Sequence, residues 1–249
     1  MEAHQKIALV TGGTRGIGRA ISLELAHQGY RVIFTYLSKV EMAESLVNEI
    51  AEHNLPTAKA LKCDMSDSKE VASLFKNIKK EFPKIDVVVN NAGILGNSRP
   101  FMFTTDDEWW KVVKTNVASV VNTCRNVLPM MIRQKRGVII NITSLSGQKG
   151  NPGQSAYSAS KAAIVSFSKA LTKEVARSGV IINCVSPGLI ETDMTSNLNN
   201  GYFEERMSRS PLKRMGTSIE VANLVSYLAS AAPQYIIGQE ITIDGGIGV

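Results

Sequence analysis

Short apolar runs alternate with longer amphipathic segments along the whole chain, and this order constrains the fold more than any other feature. The apolar runs predict strands at residues 6–10, 31–35, 57–62, 85–90, 137–142, 180–185 and 240–243. The first predicted helix follows the first strand, and the others lie at about 39–53, 67–81, 106–135, 155–178 and 218–230. Strands separated by helices cross over in a right-handed sense and form a parallel sheet with helices on both faces. Near-continuous apolar strands fit burial in such a sheet, so the sequence predicts a doubly wound α/β fold of about seven strands.

Composition and length agree with one globular domain that spans residues 1–249. Hydrophobic residues make up 44% of the chain and charged residues 20%, and no linker, repeat or low-complexity segment divides it. No apolar run approaches the roughly 20 residues that a membrane helix needs, and the early Glu2 argues against a secretory signal. The basic residues behind the net charge of +6 are scattered, without interleaved aromatic residues. We therefore expect a cytoplasmic protein with no nucleic-acid partner and no membrane partner.

The three cysteines predict free thiols. Cys63, Cys124 and Cys184 are odd in number and widely spaced, with no Cys-x-x-Cys pair. Few and widely spaced cysteines are typical of proteins in a reducing cytoplasm. We therefore expect neither a disulfide nor a metal site.

The first strand ends in the sequence Thr-Gly-Gly-Thr-Arg-Gly-Ile-Gly, residues 11–18, from which the first helix begins. Its glycines allow the backbone to turn tightly and to approach a pyrophosphate, whose charge is stabilised by the helix N-terminus. An ordinary strand-to-helix loop can also be rich in glycine, but a strand before the turn and a helix after it favour a dinucleotide site. The candidate cofactor-binding residues here are Gly12, Thr14, Arg15, Gly16, Ile17 and Gly18.

The end of the second strand indicates which dinucleotide binds. An acid at this position would bind both ribose hydroxyls of NAD and repel the 2′-phosphate of NADP. This chain has Tyr36, Ser38 and Lys39 there, with no carboxylate before position 41. Arg15 and Lys39 supply positive charge and Ser38 supplies a hydroxyl donor, so the sequence predicts NADPH/NADP+ as the cofactor. Lys39 would also fit a lysine that merely caps a surface helix, so Arg15 carries more of the argument.

Tyr157 and Lys161 lie four residues apart in a segment predicted as a helix, and therefore on one helix face. A free phenol has a pKa of about 10. A neighbouring cation lowers this pKa toward neutral pH, where the phenol can transfer a proton. Of the six tyrosines in the chain, only Tyr157 has a lysine four residues after it. The pair therefore indicates a site at which an alcohol or a carbonyl exchanges a proton.

Together these motifs resemble those of the short-chain dehydrogenase/reductase family over essentially the whole chain. They are Thr-Gly-x-x-x-Gly-x-Gly at 11–18, Asn-Asn-Ala-Gly at 90–93, Asn116, Ser144, Tyr157-x-x-x-Lys161 and Pro187-Gly188. The resemblance implies a single-domain Rossmann-type fold and a catalytic set of Asn116, Ser144, Tyr157 and Lys161. In this family the tyrosine donates a proton to the carbonyl oxygen and the serine binds that oxygen. The lysine lowers the tyrosine pKa and binds the nicotinamide ribose, and the asparagine holds a water of the proton relay.

The resemblance also extends the set of cofactor-binding residues. An acid after the third strand would contact the adenine, the turn after the fourth strand would border the cofactor, and residues after the sixth strand would hold the nicotinamide. These residues are Asp64, Met65, Asn91, Ala92, Gly93, Pro187, Gly188, Ile190 and Thr192, together with Tyr157 and Lys161. In the family the two long helices, here at 106–135 and 155–178, usually pair around a homotetramer.

Within the family, the chain is most similar to 3-oxoacyl-[acyl-carrier-protein] reductases. The sequences at 188–195, 211–216 and 238–246 carry this similarity. It implies NADPH-dependent reduction of a 3-oxoacyl thioester on an acyl carrier protein, as in fatty acid synthesis. A segment at about 189–212 would act as a substrate lid, although its apolar side chains could equally pack within the loop. Residues 95–103 look specific to this chain, and the sequence assigns them no role.

One departure leaves other substrates open. Carrier-protein docking in these reductases uses two basic residues, which align with Lys173 and Pro129 here, so one charge is missing. Nearby basic residues of the same helix could compensate, namely Arg125, Arg133 or Lys135. A polyketide-type ketoreductase and a reductase of free small carbonyls or alcohols are therefore alternatives. A catalytically silent NADP(H)-binding interaction protein is a remote one, since all four catalytic positions are filled.

Overall fold

The computed structural model describes residues 5–192, 208 and 210–249. Its strands are β1 (Ile7–Val10), β2 (Arg31–Tyr36), β3 (Lys59–Lys62), β4 (Val87–Asn90), β5 (Gly137–Ile142), β6 (Val180–Pro187) and β7 (Glu240–Ile243). They form one seven-stranded sheet in the order β3-β2-β1-β4-β5-β6-β7, and every neighbouring pair is parallel. The order reverses between β1 and β4, which is where doubly wound sheets bind ligands. The predicted fold class is confirmed.

Helices cover both faces of this sheet. They are α1 (Gly16–His27), α2 (Val40–Glu52), α3 (Ser68–Glu81), α4 (Asp106–Gln134), α5 (Leu145–Lys149), α6 (Ser155–Val175) and α7 (Ser218–Ser230). One core contains buried residues of α1, α2 and α7, and the other contains buried residues of α3, α4 and α6. Successive residues of β1 enter the two cores in turn, with Leu9 in one and Val10 in the other, both fully buried. This burial on both sides explains why the strands are apolar without alternation.

Side-chain caps determine where several helices begin. The Thr105 side chain accepts a hydrogen bond from the Glu108 N–H, and Glu108 binds back to the Thr105 N–H, which starts α4. Thr217 and Glu220 form the same reciprocal pair at the start of α7. These capping boxes satisfy backbone donors that a helix leaves unpaired at its N-terminus. The predicted starts of both helices are confirmed.

A few element boundaries differ from the prediction. Strand β3 begins at Lys59 rather than at 57, and β4 begins at Val87 rather than at 85. In β4 the reason is visible, because the backbone N–H and C=O of Ile85 pair with the side chain of Gln134 instead of a neighbouring strand. Helix α6 ends at Val175 and continues to residue 178 only as a tighter 3₁₀ turn. The short helix α5 was not predicted at all.

Two further expectations concern the cysteines and a membrane-spanning helix. Cys63, Cys124 and Cys184 are free thiols, as predicted, and the structure adds that all three are buried. Burial raises the pKa of each thiol, most strongly for Cys124. Within the described part of the chain, no helix combines the length and the apolar character that crossing a membrane requires.

Candidate active site

The glycine turn after β1 has a backbone that side chains would obstruct. Gly12 and Gly16 have φ angles of +65° and +50°, a region that residues with a side chain rarely adopt. At Gly18 a Cβ atom would lie 2.2 Å from the carbonyl oxygen of Gly12, which is far inside contact distance. Since α1 begins at Gly16, the turn leads directly into a helix N-terminus. Its backbone N–H groups therefore suit a bound phosphate.

Hydrogen bonds attach this turn to the ends of two neighbouring strands. The Thr11 hydroxyl oxygen accepts from the N–H groups of Asn91 and Ala92, each at 3.0 Å. The Asn91 amide donates in return to the carbonyl oxygens of Thr11 and Gly12, both at 3.0 Å. On the other side, the Gly12 N–H donates to the Thr35 hydroxyl at 3.3 Å. The turn is thus held between β2 and β4, at the point where the strand order reverses.

A cleft of about 320 Å³, here called the glycine-turn cleft, opens at the carboxyl ends of β1 to β4. The lining residues that the sequence predicted are Gly12, Thr14, Arg15, Gly16, Ile17, Gly18, Tyr36, Ser38, Lys39, Asp64, Met65, Asn91, Ala92, Gly93 and Thr192. The lining residues that the sequence analysis missed are Thr35, Leu37, Cys63, Ser66, Ile94, Thr115 and Ser119. Most of the missed residues flank predicted ones along the chain. Thr115 and Ser119 lie one helical turn apart beside Asn116, and that spacing is the signal that could have found them.

The charge of the glycine-turn cleft favours an anion. Arg15 and Lys39 line it, both are exposed, and neither forms a salt bridge with any residue in the described ranges. Among the described residues that line the cleft, Asp64 is the one carboxylate. One of its oxygens accepts hydrogen bonds from the Ser66 N–H at 2.8 Å and from the Ser66 hydroxyl at 2.7 Å. Two cations, a hydroxyl at Ser38 and the helix N-terminus therefore fit a phosphorylated dinucleotide.

Three predicted residues, at the end of β6 and just after it, lie outside the lining of this cleft. Pro187 is buried at the end of β6, and Gly188 packs on Asp244, where a Cβ atom would lie 2.6 Å from the Asp244 Cβ. Ile190 forms a parallel bridge with Gly216. Thr192, in contrast, reaches the glycine turn, because a Cβ at Gly16 would lie 3.4 Å from its methyl group. Two of the predicted residues, Tyr157 and Lys161, also lie outside the cleft lining.

Helix α6 brings the predicted Tyr157 and Lys161 together. The Lys161 Nζ lies 5.6 Å from the centre of the Tyr157 ring, so the two residues share one helix face as the spacing predicts. Lys161 is only 5% exposed, and its ammonium group donates to the carbonyl oxygen of Ile142, at the end of β5, at 2.8 Å. Burial lowers the pKa of Lys161 to about 8. At neutral pH the side chain is therefore still mainly a cation, held next to the phenol.

Ser144 follows β5 and caps the unpredicted helix α5. Its hydroxyl oxygen accepts a hydrogen bond from the Ser146 N–H at 3.1 Å. No group in the described part of the chain accepts the Ser144 hydroxyl hydrogen, which is therefore available to a ligand. Ser144 lies two residues after Ile142, whose carbonyl oxygen binds Lys161. The end of β5 thus supports two of the four residues of the predicted catalytic set, Ser144 and Lys161.

Asn116 is fully buried in α4 and ties three elements together. Its amide oxygen accepts from the Ile94 N–H at 2.8 Å, and its NH₂ group donates to the Ile94 carbonyl oxygen and to the Ser160 hydroxyl, both at 2.9 Å. Ser160 in turn donates to the carbonyl oxygen of Tyr157 at 2.7 Å. A Cβ atom at Gly93 would lie 3.0 Å from the Asn116 oxygen and 3.7 Å from the Lys161 Nζ. Both N–H groups of the Asn116 amide therefore form hydrogen bonds that position the site.

Tyr157 also borders a second, much smaller pocket of about 20 Å³. The other walls of this pocket come from the segment after β4, the first turns of α4 and the residues before α6. The site is therefore bounded by two regions of different character. One is the charged glycine-turn cleft, and the other includes part of the segment 95–103, to which the sequence assigned no role.

Comparison with known proteins identifies the family of this arrangement. A family model described as enoyl-(acyl carrier protein) reductase matches residues 12–248. The 3-oxoacyl-[acyl-carrier-protein] reductases FabG of Staphylococcus epidermidis and Staphylococcus aureus are each 40% identical over 242 residues, which cover 97% of this chain and 98% of the relative. The FabG of Chlamydia trachomatis is 39% identical and covers 97% of each chain. The chain therefore belongs to the short-chain dehydrogenase/reductase family.

Proposed function

We propose that this protein is an NADPH-dependent oxidoreductase that reduces a 3-oxoacyl thioester, carried on an acyl carrier protein, to the 3-hydroxyacyl thioester, as in fatty acid synthesis. The observation that carries the proposal is the pairing of Lys161 with Tyr157 at the edge of the sheet where the glycine-turn cleft opens. The names of the relatives from Staphylococcus and Chlamydia support the substrate class.

The residues of the glycine-turn cleft fit NADPH. The turn at 12–18 would hold the pyrophosphate. Its tight backbone depends on glycine, because a Cβ atom at Gly18 would collide with the carbonyl oxygen of Gly12. Arg15, Ser38 and Lys39 would bind the 2′-phosphate, and Asp64 would contact the adenine. We further propose that the residues after β4 and β6 border the nicotinamide. When bound, NADPH supplies the hydride for the carbonyl carbon.

The side chains of α4, α5 and α6 would supply the proton and stabilise the charge. Tyr157 transfers its phenol proton to the carbonyl oxygen, and the Ser144 hydroxyl donates a hydrogen bond to the same oxygen. The Lys161 cation stabilises the phenolate that Tyr157 becomes, and solvent then restores the proton. Asn116 fixes Ile94 and Ser160 on either side of this set. In the net reaction the carbonyl carbon gains a hydride and the oxygen gains a proton.

The description of the matching family model favours a second substrate, an enoyl thioester. The chemistry of the proposed catalytic residues favours the carbonyl instead, because the Ser144 hydroxyl and the Tyr157 phenol are two hydrogen-bond donors that suit a carbonyl oxygen. Other 3-oxo substrates, on a polyketide-type carrier or free, differ from the proposed one only in what holds the acyl group. A protein that binds NADP(H) without catalysis would turn over none of them.

The carrier surface is proposed from charges on α4 and α6. Lys173 lies exposed in the last turn of α6, and Pro129 is exposed within α4. Arg125 and Arg133 lie four residues before and after Pro129, so they share its helix face and are exposed as well. We propose that they replace the charge that is missing at Pro129.

The assembly and the cellular location are proposals of the same kind. We propose a cytoplasmic homotetramer in which α4 and α6 pair between subunits. Exposed apolar residues on α4, Trp110 and Ile132, support such pairing, and three buried free thiols support a reducing compartment. We also propose that residues 1–249 form one domain with a lid at about 189–212. Residues 193–207 and 209 of that lid lie outside the described ranges.

The test compares specificity constants. Loss of nicotinamide absorbance is followed with 3-oxoacyl groups on acyl carrier protein, on coenzyme A and on a free small thioester, and with an enoyl thioester on the same carrier. The proposal predicts the highest kcat/KM for the carrier-bound 3-oxoacyl group. A preference for the enoyl thioester or for a free small carbonyl would contradict it, and absence of turnover with a broad carbonyl panel would indicate a protein that only binds the cofactor.

A further inference from the structure

We propose that Gln154 is a positioning residue of the reaction site. It holds Ser144 and the start of α6 in a fixed relation to residues 95–100. This inference rests on the proposed function. Gln154 directly precedes α6 and lies three residues before Tyr157. Its side chain is polar but only 7% exposed, so its amide has to be satisfied inside the protein.

The Gln154 amide bridges two different segments. Its NH₂ group donates to the Ser98 hydroxyl at 3.3 Å, in the connection between β4 and α4. Its oxygen accepts from the Asn151 amide at 3.1 Å, within the turn between α5 and α6. Donor and acceptor thus point to separate partners, and no residue with a purely apolar side chain could replace both contacts.

Through Asn151 the network reaches Ser144. The Asn151 amide also donates a hydrogen bond to the Ser146 hydroxyl, and the Ser146 N–H donates to the Ser144 hydroxyl oxygen. Helix α5 has only five residues, too few to be stable without support from its surroundings. The direction of the Ser144 hydroxyl therefore depends on contacts outside α5, and the chain from Gln154 supplies one of them.

Backbone packing joins the same two segments independently of the side chains. The Arg99 N–H donates to the Gly153 carbonyl oxygen at 3.0 Å. Gly153 has a φ of +75°, and a Cβ atom there would lie 3.3 Å from the Arg99 nitrogen. The turn before α6 therefore packs closely on Arg99, and its positive φ favours glycine at this position.

Helix α4 fixes the other end of the network. The Glu108 carboxylate accepts hydrogen bonds from Asn97 at 3.1 Å and from Arg99, and it also belongs to the capping box of α4. The Trp109 indole N–H donates to the Ser155 hydroxyl at 3.1 Å, in the first turn of α6. Residues 95–100 are thus clamped between α4 and the residues just before Tyr157. This gives the segment 95–103 a role that the sequence did not assign.

The test compares Gln154→Leu and Gln154→Glu with a matched control, Gln134→Leu. Leucine keeps the volume at position 154 but removes both contacts, whereas glutamate keeps the acceptor for Asn151. Gln134 binds the backbone of Ile85 and Arg136 at the far end of α4, so its loss affects the fold but not the site. The readouts are kcat and KM for the 3-oxoacyl thioester, the NADPH dissociation constant and the melting temperature.

We expect kcat of Gln154→Leu to fall roughly 10- to 100-fold, as for a catalytic group that is slightly misplaced, with KM and NADPH affinity near those of the wild type. Gln154→Glu should recover part of this loss, and Gln134→Leu should lower the melting temperature while keeping kcat. A kcat of Gln154→Leu equal to that of the control would overturn the inference. So would a Gln154→Glu protein no faster than Gln154→Leu.

Two further outcomes keep the test decisive. If Gln154→Leu does not fold, Ser98→Ala replaces it, since Ser98 is exposed and its loss removes only one partner. This variant should also lower kcat without changing NADPH affinity, and an unchanged kcat would overturn the inference. A wild-type protein that reduces no 3-oxoacyl thioester would instead overturn the proposed function, which the variants alone cannot do.

Discussion

Replacing Lys161 with methionine should remove the main electrostatic support of Tyr157, the proposed proton donor. The Nζ lies 5.6 Å from the centre of the Tyr157 ring. At an effective dielectric constant of about 20, a unit charge at that distance stabilises the phenolate by about 3 kcal/mol. Since about 1.4 kcal/mol corresponds to a tenfold change in rate, kcat should fall by about 100-fold in Lys161→Met.

The pH dependence gives the same prediction a second and independent readout. Burial lowers the pKa of Lys161 to about 8, so the side chain is charged below that pH and neutral above it. A charged thiolate at the neighbouring Cys184 would raise the pKa of Lys161, but Cys184 has a pKa of about 11 and is uncharged at neutral pH. Burial is therefore the cause that determines the Lys161 pKa there. The kcat of the wild type for carbonyl reduction should therefore be constant below pH 8 and fall above it, toward the level of Lys161→Met. In Lys161→Met this decline should be absent.

The assay is steady-state reduction of a 3-oxoacyl thioester under saturating NADPH from pH 6 to 10, roughly the range that spans both protonation states. Lys169→Met is the matched control, because Lys169 lies exposed on the same helix and should leave kcat unchanged. A Lys161→Met enzyme within a few-fold of the wild type would refute the argument. A decline above pH 8 that persists in Lys161→Met would assign it to another group.

Three further predictions address the cofactor and the carrier. Gly18→Ala should abolish NADPH binding measured by fluorescence titration, because the new Cβ would lie 2.2 Å from the Gly12 oxygen. Gly29→Ala should lower only the stability, because Gly29 has a positive φ but no atom of the described residues within 4 Å of an added Cβ. Equal affinities in the two variants would contradict this reasoning. Arg15→Ala should weaken NADPH binding much more than NADH binding, and equal losses would disprove the 2′-phosphate contact. Pro129→Arg should lower KM for the carrier-bound substrate but not for its coenzyme A analogue, and a change in both would exclude a carrier-specific effect.

Patterns within short stretches of sequence predicted most of the fold. Alternating apolar and amphipathic segments predicted the seven strands and the longer helices, and the structure confirms them apart from a few boundaries. Helix α5 escaped prediction because five residues are too few for a helical period to show. The start of β4 was misplaced because the distant Gln134 side chain occupies the backbone of Ile85, and no local pattern carries that information.

The same distinction applies to the candidate site. The four-residue spacing predicted that Tyr157 and Lys161 share a helix face, and the structure agrees. The bond from Lys161 to the Ile142 carbonyl oxygen and the link from Gln154 to Ser98 could not be predicted, because each joins segments that lie close only after folding. Local sequence therefore sufficed to predict that Tyr157 and Lys161 share a helix face, whereas the contacts that hold them in place emerged only from the tertiary structure.

The most direct test of the account is the paired measurement of NADPH affinity and kcat/KM in Tyr157→Phe, with Tyr235→Phe as a control because Tyr235 is almost fully exposed. If Tyr157 donates the proton, Tyr157→Phe should bind NADPH like the wild type and lose about 10²- to 10⁴-fold in kcat/KM for the 3-oxoacyl thioester. Tyr235→Phe should match the wild type in both. A Tyr157→Phe enzyme that retains its turnover would contradict the account.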